Sequence, residues 1–444
     1  MKRFISIIVI AVMLLSVTVG CGGKTATDNK ETSQTETTVK TSEGSTTAKE
    51  ETAQKPSEKV IEGKITVINN RVDQVEDLNK IASAFHAKYP QAEATFEVIK
   101  DWGSAEKTRL AANAAPDVLF VAGSVMTQAQ YPDFLLPIDE LYTKDTISNY
   151  DRYKSGDHIY GYADGVNVTG LLYSKTTLKS VGVTSPPKTL DELFADFDKL
   201  KAKGIIPIGC MAKTLWAMSN WGTVRNVYET KTGDDYYNQY ANTDTPFTKD
   251  NPIGKMLAFV KMLKDKGYFD DNAASSDWDV LRLQMDKVGF LMQANFGISA
   301  LTNNSPEDVG FCPLPVDNSG KTYSTRSPSM GLGINKDTKY PDTAKAFIKF
   351  LLEESVYNDL CGTLPSVAGV KSNTPQLSEF MDLKPVYFDA PGATQNYNDI
   401  INKAQMNGGF GDLIQEVMIT GDIDAVLAKY NKKWTDARAA LGVK

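Results

Sequence analysis

Between residues 64 and 122 the chain switches repeatedly between two hydrophobic periods, and this alternation limits the folds open to it more than any other feature. Residues 65–68, Ile-Thr-Val-Ile, read as a strand, and residues 73–76, Asp-Gln-Val-Glu, put an acceptor at a helix cap with Glu three places on. Val75, Leu78, Ile81, Phe85 and Tyr89 then recur at steps of three and four, one face of a helix that Pro90 stops. A strand at 95–99, a helix at about 104–113 and a buried strand at 117–122 follow. The order β-α-β-α-β calls for a parallel sheet covered by helices, because a parallel neighbour is reached only through a crossover.

A second block repeats the logic. A short strand at 171–173 precedes a capping box at 189–192, which opens a helix with Leu193, Phe197 and Leu200 on one face and Gly204 as its stop. A strand at 205–209 comes next, and Asn251-Pro252 starts a helix with Met256, Phe259, Val260 and Leu263 inward and Gly267 at its end. Later elements are a strand at 288–292, an extended 311–315, a strand at 330–334, a helix at about 341–353 and a terminal helix carrying Ile423, Leu427, Tyr430 and Trp434. No solenoid-length repeat is present, so two α/β lobes are expected.

Composition bounds what these lobes do. With 48 basic and 55 acidic residues in 444, the net charge of −7 offers no concentrated basic face for nucleic acid. Lys2 and Arg3 precede an apolar or small run from Phe4 to Gly20, the pattern of a secretory signal, and the run meets Cys21. Thr18-Val-Gly-Cys21-Gly-Gly looks like a bacterial lipoprotein box, with lipidation at Cys21 and Thr18 where a large aliphatic residue is usual. Loss of residues 1–20 removes two basic residues and no acidic one, leaving −9, so the lipid rather than headgroup attraction would hold the chain to the membrane. Residues 21–62, rich in Thr, Ser, Glu, Lys and Gln, cannot bury enough surface to offset ordering entropy and read as a disordered tether.

Catalytic and cofactor motifs fail one by one. Gly320-Lys321-Thr322 has Pro315 where a phosphate loop needs its first glycine, and there is no GxGxxG, GxSxG or HExxH. His86, among apolar residues, and His158, in a polar loop, read as packing and surface groups. Cys210, Cys312 and Cys361 lack CxxC spacing and read as buried small residues, a Cys312–Cys361 disulfide being compatible with the spacing. Asp234-Asp235, Asp270-Asp271 and Asp277-Trp278-Asp279 are sequence neighbours, which does not supply the spatial separation a glycosidase pair needs. No metal, no cofactor and no catalytic residue are therefore expected.

Aromatic residues in loops carry more. Trp102 follows one strand, Trp216 and Trp221 follow another, and Phe296 a third, and ligands of open α/β sheets bind beyond the carboxyl ends of strands. Flat rings beside Asn, Asp and Arg suit a sugar, which has apolar C–H faces and a rim of hydroxyls.

The chain resembles the extracellular solute-binding proteins of ABC importers, in the sugar-binding group that includes maltose-binding protein. The pieces carrying this are Leu-Ala-Ala-Asn-Ala-Ala-Pro-Asp-Val-Leu-Phe at 110–120, Leu-Pro-Ile-Asp-Glu-Leu at 136–141, Gly-Leu-Leu-Tyr-Ser-Lys at 170–175, Pro-Pro-Lys-Thr-Leu-Asp-Glu-Leu at 186–193 and Gly-Leu-Gly-Ile-Asn at 331–335, the last followed by a helix at 341–350. The resemblance implies an α/β, two-lobed periplasmic-binding-protein-like fold with three interlobe crossings, near 166–169, 328–330 and 364–367, and a ligand cleft between the lobes. Lobe 1 would comprise 63–165 with 331–363, and lobe 2 would comprise 170–327 with 368–444. Carried over by position, Asn70, Arg71 and Asp73 would make polar contacts after the first strand, Gly123 and Ser124 would shape a subsite after the third, and Asn167, with Asp164 nearby, would occupy a hinge position that often holds a carboxylate. Trp216 and Phe296 would stack on sugar rings, and Arg326 and Ser329 would meet hydroxyls; Trp278, placed by loop context alone, is expected to pack. The implied partners are a carbohydrate, most simply an oligosaccharide, and the permease subunits of an ABC importer, with the protein a monomer on the outer face of the cell membrane. A non-sugar solute on the same fold and a surface glycoside hydrolase are the alternatives.

Overall fold

The computed structural model describes residues 60–229, 236–302, 306–390 and 393–443. The signal segment, Cys21 and the tether as far as residue 59 lie outside the described residues. At the tether's end Ile61 already packs on a core and Glu62 O accepts from Thr343 Oγ1 at 2.6 Å.

The first block folds as its pattern requires. Strand β1 (Gly63–Asn69), helix α1 (Val75–Lys88), strand β2 (Ala92–Val98), helix α2 (Trp102–Ala111) and strand β3 (Val118–Val121) follow in order, with β1 parallel to both β2 and β3. Leu78, Ile81 and Phe85 of α1 are buried, as their spacing demands. The strand Gly331–Ile334 adds antiparallel to β3, and Tyr162–Ala163 closes that edge. The capping box expected at 73–76 does not form: α1 starts after Gln74, whose side chain is drawn away to Leu360 O at 3.2 Å. Its counterpart at Thr189 forms, Glu192 N donating to Thr189 Oγ1 and Thr189 N to the Glu192 carboxylate, which also accepts from Lys188 N.

The second sheet is mixed where the sequence pattern implied a parallel repeat. Its central strand, Val166–Ser174, runs antiparallel to Val288–Ala294, Thr322–Pro328 and Val309–Cys312. Ile206–Gly209 is parallel to Val288–Ala294, and Val386–Asp389 is parallel to Thr322–Pro328. Those five strands therefore share one direction, and Val288–Ala294 and Thr322–Pro328 end at the edge where Val166 begins. Every residue of Val288–Ala294 is buried, the mark of a strand covered on both faces.

Buried side chains sort into two cores. One holds residues of β1 to β3 and the 331–361 region; the other runs from Val168 through Phe410 to Ala437. Cys210 and Cys312 lie in the second and Cys361 in the first, all as buried free thiols, so no disulfide joins Cys312 to Cys361. His86 Nδ1 lies 2.8 Å from Ala92 O and His158 Nδ1 3.2 Å from Asp139 Oδ2, both local structural contacts.

The passages between cores are laced together. Ser329 N donates to Gly165 O at 2.9 Å, Asp164 N to Met330 O at 2.8 Å, and Val166 and Leu364 exchange both backbone bonds. Gly165 is required by this proximity, since a Cβ there would stand 2.4 Å from Thr363 Oγ1. After Leu364 the chain keeps hold of the first lobe: Ser366 Oγ donates to Ala163 O, Ala368 N to Thr146 O and Asn373 Nδ2 to Asp359. Leu364 packs against the second core, residues 366–373 bond to the first lobe, and the helix Pro375–Asp382 rejoins the second core through Leu377 and Phe380.

Candidate ligand cleft

Strand direction determines where a site can be. The parallel strands β1, β2 and β3 and the five co-directed strands of the second sheet all point their carboxyl ends toward the passages, so both lobes turn strand ends toward one gap. The gap contains a cavity of about 980 Å³. Lobe 1 lines it with the loop after β3 and with residues 149–153, the passages contribute 328–330, and lobe 2 contributes residues near 390–408. That volume is at the upper end of the range of about 300–1,000 Å³ for small-molecule sites.

The lobe 2 wall is built from the helix Gln395–Ala404. Tyr397, Ile400, Ile401 and Ala404 are buried in the core, while Asn398 and Asn402, four residues apart and so on one face, line the cavity with Gln395. Asn407 continues the wall, its Oδ1 accepting from Ser219 Oγ and from Gly409 N. On the opposite wall Tyr153 approaches so closely that a Cβ on Gly331 would meet its ring at 2.6 Å. Among the described residues the lining carries six side-chain amides, against one carboxylate, Asp151, and one guanidinium, Arg152. Asp151 is already paired with Lys144 at 2.7 Å. Amides both donate and accept, as hydroxyls do, so this wall suits an uncharged polyol.

Of the residues expected to touch ligand, Ser124 and Ser329 line this cavity, and Trp102 with Ser124 lines a smaller one beside it. Asn70 and Asp73 are exposed at the end of β1 but line neither, and Arg71 points at lobe 1, Nη1 donating to Gln74 Oε1 at 3.3 Å. Asp164 is held inside the hinge instead of facing a ligand: it is 3% exposed, and its Oδ1 accepts from Met330 N at 2.9 Å. Burial pushes its carboxyl up to about 6, against the opposing pull of Ser329, Arg71 and Met330 N. Asn167 sits beside it in the ladder, with Oδ1 buried and without a hydrogen-bond partner among the described residues.

Trp216 and Phe296 line neither cavity, yet stand at the same edge as a tilted pair with centroids 5.7 Å apart. Trp216 is 47% exposed, and Trp278, 6.5 Å away, is buried as a packing residue. Phe296 abuts Gly362, its Cα 3.5 Å from where a Cβ on that glycine would be. Trp221 corrects the expectation of a third ring: it is fully buried against Phe259 and Phe269, because the chain between 215 and 221 coils into short helical turns that carry it to the inner side. Arg326 is likewise no cleft residue, since Nε and Nη2 both bond Asp389 at 2.8 Å while the guanidinium lies over Tyr387.

The amide wall was missed by sequence reasoning, although a signal exists. Asn is a poor helix former, and Asn398 and Asn402 share the face opposite Ile400 and Ala404, which marks a polar face with a purpose. Among the described residues no group of three or more His, Cys, Asp or Glu is placed to hold a metal, and no helix is long and apolar enough to cross a membrane.

Residues 71–357 match the family described as bacterial extracellular solute-binding protein. The multiple sugar-binding protein of Streptococcus mutans is 22% identical over 326 residues, covering 70% of this chain and 77% of that protein. A mannobiose-bound ABC-transporter binding protein from Bifidobacterium animalis subsp. lactis superposes with a TM-score of 0.69 at 21% identity, over 87% of this chain and 98% of that one. Apo RafE from Streptococcus pneumoniae gives 0.67 at 18%, over 87% and 100%. At these identities the two structures speak to the fold.

Proposed function

The chain belongs to the bacterial extracellular solute-binding proteins, and from that premise we propose that it captures an oligosaccharide between its lobes and delivers it to an ABC importer. The observation that carries the sugar reading is the amide wall, Asn398, Asn402 and Asn407 facing Tyr153 and Ser124 across a cavity of about 980 Å³ with nearly balanced charge. The relatives support it, one being a multiple sugar-binding protein and another having been caught with mannobiose. The volume suits more than one ring, and the exposed Trp216–Phe296 pair offers an apolar face at the same edge.

A ligand touching both lobes favours the closed arrangement by its differential affinity, and hinge closure is the established motion of periplasmic binding proteins. Discrimination follows from burial: an amide left without its hydroxyl costs about 1–3 kcal/mol. No chemistry is needed, and the lone carboxylate of the lining supplies no acid–base pair. The protein works as a monomer outside the cytoplasm, tethered through a lipid on Cys21, with the permease subunits as its partner.

Titrating intrinsic tryptophan fluorescence with di- to tetrasaccharides, while following the sugars by chromatography, tests the proposal. Saturable binding with no shortened product is the expected result. Silence across the panel, or steady release of smaller sugars, overturns it.

A further inference from the structure

A second cavity, of about 380 Å³, opens at the carboxyl end of β2, lined by Lys100, Asp101, Trp102, Ser104 and Lys107, with Ser124 from the loop after β3. Ser124 also lines the main cavity, so a chain-like ligand lying in the cleft can continue into this pocket. The two differ in charge. The main cavity carries one group of each sign, whereas the second holds two ammonium groups against one carboxylate, a positive spot on a chain of net charge −7.

The lysines are uncommitted. Neighbouring cations of lobe 1 are paired, Arg109 with Glu97, Lys64 with Glu93, Lys88 with Glu354 and Lys144 with Asp151, yet neither Lys100 nor Lys107 meets a carboxylate among the described residues. The nearest buried acid on the same helix, Glu106, is enclosed and accepts from Phe120 N at 3.1 Å. Burial pushes it up to about 8, so at neutral pH it is mostly uncharged and does not cancel the ammonium groups. Trp102 is half-buried and held edge-on by Phe120, with centroids 5.0 Å apart, which fixes its ring in the pocket wall.

We propose that this pocket is a subsite for an anionic substituent on the saccharide, a uronate carboxylate or a sulfate ester, with Trp102 carrying the sugar ring and Lys100 and Lys107 the charge. The proposal rests on the reading that the main cleft takes an oligosaccharide. It makes the preferred ligand an acidic oligosaccharide whose uncharged rings lie along the amide wall.

The test is calorimetry on matched pairs: xylotriose with and without a glucuronosyl branch, galactotriose against trigalacturonate, and lactose against its 6-sulfate. Two solvated ion pairs make the acidic member of at least one pair bind about tenfold tighter at low salt. That advantage should shrink toward unity at about 0.5 M sodium chloride, where screening acts within a few ångströms. It should also vanish in the Lys100→Gln, Lys107→Gln double variant, with thermal unfolding of the variant serving as the check that it is folded. The arm showing the advantage, uronate or sulfate, identifies the anion. If neutral members bind and acidic ones bind no tighter, or if the advantage survives the double variant, the subsite is refuted while the oligosaccharide reading stands. If no member of any pair binds, that reading falls and the subsite with it.

Discussion

Lobe 1 meets the cleft with loops that leave parallel strands, short and small-sided at 122–124 after β3 and bearing Lys100 and Trp102 after β2, whereas lobe 2 meets it with the side of a helix and a pair of rings. The first arrangement is dictated by topology, because two crossovers deliver three parallel strand ends to one edge. The second depends on which face of Gln395–Ala404 the core claims and on how tightly residues 215–221 coil. Lobe 1 thus positions its cleft groups through backbone and lobe 2 through side chains, so substitutions should divide the same way, between stability and affinity.

The largest effect separates two tryptophans of lobe 2 five residues apart. Trp221→Ala, which empties a fully buried site, is expected to cost about 3–5 kcal/mol in urea unfolding. Trp216→Ala, at an exposed ring, should leave unfolding nearly unchanged and weaken saccharide binding. If the two phenotypes are exchanged, the division of the rings between core and cleft is wrong.

Next in size is a pH effect confined to lobe 1. The Glu106 carboxyl sits at about 8 in the folded protein against an ordinary 4.5, so its neutral form is favoured by folding. That stabilisation is complete below the ordinary value and is lost as pH rises through the folded one. The parent protein should therefore lose several kcal/mol between about pH 5 and pH 8, at about 1.4 kcal/mol per unit from this group, while Glu106→Gln keeps only the shallower slope left by other raised carboxyls such as Asp164. Urea melts at both pH values check it, and equal slopes for parent and variant would mean that Glu106 is solvated.

Smaller again are the amides. Asn398→Ala and Asn402→Ala should each weaken saccharide binding by about 1–3 kcal/mol in calorimetry, with thermal unfolding little moved because both side chains face the cavity. The smallest effect belongs to Arg326→Ala, which removes an exposed ion pair with Asp389 and should change stability by less than about 1 kcal/mol and affinity not at all. A loss of affinity there would return Arg326 to the cleft.

The same contrast explains what could be read in advance. The β-α-β-α-β order, the Thr189 cap and the Asn251-Pro252 helix start are local patterns, and each appears where the pattern put it, because nothing distant competes. The cap at Asp73 failed because Gln74 found Leu360 O, a partner 286 residues away. Trp221 looked like Trp216 in sequence, and only the coiling of the intervening turns separates them. Asp164 was expected to stand near a hinge contact with ligand, and nothing local reveals that Met330 N and Ser329 would enclose it. The amide helix was passed over because its polar face has no motif; its meaning comes from the cavity opposite.

Closure about the laced passages is the centre of this account, and small-angle X-ray scattering measures it directly. With a saccharide that binds in the titration, the radius of gyration should be smaller at saturation than without it. Saturable binding at an unchanged radius of gyration would contradict it.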